Sequence, residues 1–226
     1  MIYGICLIVA SLLLHRPEVV EDQEEFRDQE ELKIKKIIFS RKFILLWLVV
    51  FLNITCGLAL VSQEKQIYVT IGISQVILFC TINATANMIG RLSMASLQDR
   101  LKSKHIPYYL MAIFSAMVCF MGMARSLMHL ETIIIIFVIQ FFFGCGFACL
   151  PNILHQHYGM KQLSTVQGLT LSAWAIAGLV GNQVARWVMI NYNLSSLYTL
   201  VGIGFVIELI ILLVWTKVTS HQKANV

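Results

Sequence analysis

The chain has 226 residues, of which 58% are hydrophobic and 13% charged, with mean hydropathy +0.76 and a formal net charge of +5. Charged residues normally make up about a quarter of a soluble domain, so this composition excludes one and requires an integral membrane protein. Eight of the twelve acids fall between Glu18 and Glu31, which leaves Glu64, Asp99, Glu131 and Glu208 for the rest of the chain.

A spanning helix needs about 20 mostly apolar residues to cross about 30 Å of hydrocarbon. The first apolar run, 2–14, is too short for this and lacks the basic start and cleavage site of a signal peptide. It reads as the end of a truncated helix occupying 1–16. A charged linker follows at 17–42, acidic at its start and basic at its end; that polarity suits a helix dipole, and Glu31–Lys35 is a favourable i, i+4 pair. Six spans are predicted at 43–62, 68–90, 106–124, 132–154, 168–190 and 197–216, within a six-helix bundle at 43–217. Residues 218–226 read as a tail.

Between the second and third spans lies "IGRLSMASLQDRLKSKHIP", read as a loop over 89–105 that gathers Arg91, Asp99, Arg100, Lys102 and Lys104. Fourteen of the seventeen lysines and arginines fall on the side of this loop. Lys65 and Arg125 fall on the other, and Arg186 lies inside a span. Cytoplasmic connections carry the excess of bases, so the loop and the C-terminus are expected in the cytoplasm of a multi-pass protein of the inner (plasma) membrane.

Polar groups in hydrocarbon need partners and face the bundle interior or a wet cavity. Candidates are Asn53 in the first span, Gln75, Asn83 and Asn87 in the second, Gln140 and Asn152 in the fourth, and Trp174 in the fifth. All can serve interhelical bonding, and Asn53, Gln75, Asn83, Gln140 and Trp174 are the candidates for substrate contact. Arg186 sits near the outer end of the fifth span, where it can snorkel, whereas Glu208 is in the middle of the sixth and needs a partner or a proton. The six cysteines lie in apolar runs, as small buried hydrophobes do. His155 and His157 lack further ligands, so no metal is expected. No cofactor motif, catalytic pair or nucleic-acid surface is present, and the chain does not read as an enzyme.

The sequence Ala95-x-Leu97-x-Asp99-Arg100-x-x-x-Lys104 resembles the loop signature of the major facilitator superfamily. Asn87-x-x-Gly90-Arg91-Leu92 before it resembles the form found in the oxalate/formate antiporter family. Residues 41–63 look like that family's seventh helix. Residues 145–182, with Gly146, Phe147, Pro151, Gly159, Gly168, Trp174 and Gly181, look like its tenth and eleventh. Ala95 and Asn182 depart from the family pattern, which has Gly and Pro there. The resemblance implies the C-terminal half of a twelve-helix transporter, working by alternating access around a midplane site. It implies a latch role for Gly90, Arg91, Asp99 and Arg100, and a partner in the form of an N-terminal six-helix half or a second copy. The implied cargo is a small organic anion moved with a proton or a counter-anion. A monocarboxylate is expected, because the runs that match the eighth and eleventh helices carry no base in their middle. The alternative is a non-transporting membrane fragment or scaffold from a truncated gene.

Overall fold

The computed structural model describes residues 34–101, 105–124, 129–160 and 162–224. The apolar run 2–14, the acidic stretch, Lys102 and Lys104 lie outside them. Residues 34–38 are helical and belong to a unit ending at Phe39. Everything below concerns the second unit, Ser40–Val226.

That unit is a helical bundle, with no strand among the described residues. Its elements are α1 (Arg41–Val61), α2 (Glu64–Thr70), α3 (Val76–Arg100), α4 (Ile106–Ala124), α5 (His129–Tyr158), α6 (Leu163–Asn191) and α7 (Leu194–Ala224). With α1 and α2 taken together, six stretches are long and apolar enough to cross a membrane: Arg41–Thr70, Val76–Gln98, Ile106–Met123, Leu130–Tyr158, Leu163–Asn191 and Leu194–Ser220. Successive spans run in opposite directions. One end of the bundle carries Lys42, His157 and Trp215, where the Trp215 indole donates to the Lys42 carbonyl at 2.9 Å. The other end carries Gln63, Asn182 and Asn193.

Local chemistry sets the boundaries. Ser40 caps α1, its hydroxyl accepting from the Phe43 amide at 3.2 Å. Asn193 caps α7 by accepting from the Ser196 amide at 2.8 Å. Gly72, at φ 79°, takes the left-handed turn between α2 and α3 that a side chain would resist. Pro151 sits inside α5, which the surrounding helices permit.

Three boundaries differ from the sequence reading. The apolar run at 68–90 is not one helix. Its first residues finish α2, the chain turns at Gly72, and the second span begins at Val76. The span therefore shifts towards the C-terminus and carries Arg91 inside it rather than at its end. Residues 89–100 are accordingly helix, not loop. At the C-terminus, α7 continues to Ala224 through residues read as a tail.

Helix α3 packs chiefly on α5, α6 on α1, and α4 on α7 and α5; α1 also touches α5 and α7. The α3–α5 contact is backbone-close. A Cβ on Gly90 would strike the Phe141 carbonyl, and one on Gly144 the Asn87 carbonyl. Small residues permit this approach, and close packing must hold the helices because lipid offers no hydrophobic drive between them. Helices α3 and α6 are the least covered: 17% and 22% of their most apolar stretches are buried, against 39% or more elsewhere.

Candidate functional site

The middle of α1 presents Asn53, which is buried, as is Glu208 on α7. The Asn53 amide donates to both oxygens of that carboxylate, at 3.1 and 3.4 Å. Pairing is one of the two outcomes expected for Glu208, and the sequence separation of 155 residues hid the partner. Beside it the chain is bare at Gly146, where a Cβ would lie 2.7 Å from Asn53 Oδ1. The Gly146 carbonyl accepts from the Tyr108 hydroxyl at 3.0 Å.

Asn53, Phe147, Thr170 and Trp174 line one narrow depression between α1, α5 and α6. Phe147 and Trp174 meet edge to face at 6.0 Å. The Arg91 guanidinium also lies over the Phe147 ring, at 4.9 Å. A cation over an aromatic face is attracted by the ring quadrupole. Arg91 is exposed, and its hydrogen bond among the described residues is to the neutral Asn87 Oδ1, at 3.1 Å. Its guanidinium therefore stands on α3 beside the aromatic pair. Arg91 thus lies within the apolar stretch Val76–Gln98, in its C-terminal part, rather than after it.

A second polar group lies towards the Gln63 end. Glu64 on α2 is buried, with Oε1 accepting from Asn83 at 2.6 Å and Oε2 accepting from Gln140 at 3.1 Å. Asn83 also donates to the Tyr68 hydroxyl at 2.5 Å. Asn87 donates to the Gln140 carbonyl at 3.2 Å and to its side-chain oxygen at 3.4 Å. Asn83, Asn87 and Arg91 recur every four residues on one face of α3, so a continuous polar track runs from Glu64 to Arg91. Asn83 and Gln140, two of the sequence candidates, thus meet through Glu64, which lies between the first two predicted spans. One signal could have found it: Glu64 is the only acid between Glu31 and Asp99.

The remaining candidates are dispersed. Gln75 is the exposed residue before α3, outside the span in which it was expected. Arg100 ends α3. Asp99 lies one residue earlier on the helix, and its side chain is outside the described set. Arg186 is exposed on α6 and lines an open cavity of about 690 Å³ with Gln63, Gln66, Thr70, Asn182 and Asn193. Gln63 donates to Asn182 across that cavity at 3.1 Å. Among the described residues, no group of three or more His, Cys, Asp or Glu is arranged to hold a metal.

The sequence model of the Major Facilitator Superfamily matches residues 1–182. No curated protein matches the chain.

Proposed function

The chain belongs to the major facilitator superfamily, a family of membrane transporters, and from that premise we propose that it moves a small organic anion, a monocarboxylate, by alternating access. The observation that carries the reading is the Arg91 guanidinium over Phe147, next to Trp174. One unneutralised cation beside an apolar aromatic wall suits a ligand with one carboxylate and a short hydrocarbon body. Arg binds carboxylate through paired N–H donors. Trp174 stands on α6 where a second base would be needed for a dianion. Asn53 and Thr170 supply neutral polar groups in the same depression.

In this reading the six helices form one half of the transporter, related to the oxalate/formate antiporters. The uncovered faces of α3 and α6 support a second six-helix body against them, either an N-terminal half or another copy. A site beside those faces is completed by that body. The Arg100 end faces the cytoplasm, with Asp99 and Arg100 acting as a latch between conformations.

Reconstitution tests the reading. The chain alone in liposomes is expected to give no saturable uptake of formate, lactate, pyruvate or oxalate. Together with an N-terminal half from the same genome, it is expected to take up the monocarboxylates in preference to oxalate. Preferential oxalate uptake would overturn the monocarboxylate assignment. Saturable uptake by the lone chain would replace the separate half with a second copy.

A further inference from the structure

A second polar hollow lies at the Gln63 end, apart from the Arg91 depression. It is the open cavity of about 690 Å³ between α2, the last turns of α6 and the start of α7. Small-molecule sites typically run to about 300–1,000 Å³. Among its described lining residues Arg186 carries the charge, and there is no Asp or Glu. We propose that this cavity is a binding site for an oxyanion, a carboxylate or a phosphate carried on an apolar body, held by the Arg186 guanidinium and the side-chain amides around it. Such a site is expected whichever anion the protein transports.

The charge of the cavity is the first ground. Arg186 has no hydrogen bond or ion pair with any described residue. The acid nearest to it in the lining sequence, Glu64, belongs to the opposite face of α2, where Asn83 and Gln140 hold both its oxygens. The C-terminus of α6 and the N-terminus of α7 meet at this wall, so their opposed partial charges offset each other. The guanidinium therefore sets the sign. Basic residues gather at the opposite end of the bundle, so charge topology does not account for a base here.

The donors are the second ground. Gln63 and Gln66 come from α2 and the residue before it, Asn182 from α6, and Asn193 from the start of α7. Asn182 and Arg186 are four residues apart and share a face of α6. Gln63 donates to Asn182 Oδ1 at 3.1 Å, which occupies the acceptor of that amide and leaves its Nδ2 hydrogens for a ligand. A planar guanidinium with an amide beside it matches the paired oxygens of a carboxylate or phosphate. An arginine that only snorkels to the interface needs water, not amides converging from three elements.

The rest of the wall is the third ground. Ile67, Ile71, Met189 and Ile190 make it apolar, which gives hydrocarbon attached to the anion a place to lie. Trp187 and Tyr192, with ring centroids 5.4 Å apart, stand exposed at the same end of α6, as aromatic residues do at the level of lipid headgroups. A soluble carboxylate and a headgroup phosphate are thus the two sources of an oxyanion for this cavity.

Arginine side-chain NMR of the full chain tests the site, in maltoside micelles that carry neither phosphate nor carboxylate, at about pH 6, where acetate is ionised. The Arg186 Nε–H signal, identified by its loss in Arg186→Gln, should shift and saturate with acetate, with half-saturation on the order of 1 mM. Acetamide, the neutral isostere, should not move it, and the exposed Arg100 should not saturate. Asn182→Leu should raise the half-saturating concentration about threefold to tenfold, the scale of one hydrogen bond to a charged group. If that variant does not fold, Gln66→Leu replaces it. The response should survive in Arg91→Gln, so that this site and the Arg91 depression stand or fall separately. Short-chain phosphatidylglycerol that saturates the signal and excludes acetate identifies the occupant as a lipid headgroup; acetate that saturates in its presence identifies a soluble carboxylate. An Arg186 signal that answers neither anion, or answers acetamide equally, overturns the proposal, as does acetate binding that ignores the amide substitution.

Discussion

Replacing Asn53 with Ala removes the amide that donates to both oxygens of Glu208. Glu208 is completely buried, and Asn53 is its hydrogen-bond partner among the described residues. Polar contacts between membrane helices average about 0.6 kcal/mol and reach about 1.7, because the separated helices also find partners. Hydrogen bonds to a charged group run at about 1.5–3 kcal/mol in general. The upper part of the membrane range is the better guide here, because Asn53 holds both oxygens of the buried Glu208. Losing the buried side chain itself adds about 1 kcal/mol. Asn53→Ala should therefore cost about 2–3 kcal/mol in all. The assay is detergent-induced unfolding followed by circular dichroism, on Asn53→Ala, Glu208→Ala and the double variant. The coupling energy should be about 1.5 kcal/mol. A coupling below about 0.3 kcal/mol, indistinguishable from additivity, would refute the pairing as a structural link between α1 and α7.

Gly144→Ala should destabilise the bundle by about 1–3 kcal/mol in the same unfolding assay, because the new Cβ meets the Asn87 carbonyl. Gly168→Ala is its control: nothing lies near its Cβ position, and removing a helical glycine should stabilise by up to about 1 kcal/mol. A membrane-impermeant thiol reagent applied outside sealed cells should fail to label Lys102→Cys and should label Gln66→Cys, as the distribution of basic residues requires. In the assembled transporter, Asp99→Asn should slow uptake while leaving equilibrium substrate binding nearly intact; binding and uptake lost in proportion would count against a latch.

The six spans were legible because the bilayer allows few alternatives: any long apolar run with few charges must cross it as a helix. The turn at Gly72 was not legible. It sits inside an apolar run whose composition suits a single helix, and only the left-handed glycine divides it. That one hidden turn moved Arg91 from the end of the second span to a position within it and drew Glu64 from a connection into the bundle. Within α3, the spacing of Asn83, Asn87 and Arg91 already showed a shared face. Partners on other helices could not be read, for these or for Asn53, because Gln140 is 53 residues from Asn87 and Glu208 is 155 from Asn53. Trp174 was visible as a candidate, but its contact with Phe147 and through it the cation of Arg91 depends on the packing of α5 between α3 and α6.

Equilibrium binding of radiolabelled formate, lactate, pyruvate and oxalate to the assembled transporter in nanodiscs tests the central claim most directly. It should be measured on the wild type, Arg91→Lys and Arg91→Gln. Wild type should bind the monocarboxylates more tightly than oxalate. Arg91→Gln should weaken monocarboxylate binding by about tenfold to a hundredfold, the loss of one charge-assisted contact, and Arg91→Lys should recover part of it. Unchanged monocarboxylate affinity in Arg91→Gln would contradict the account.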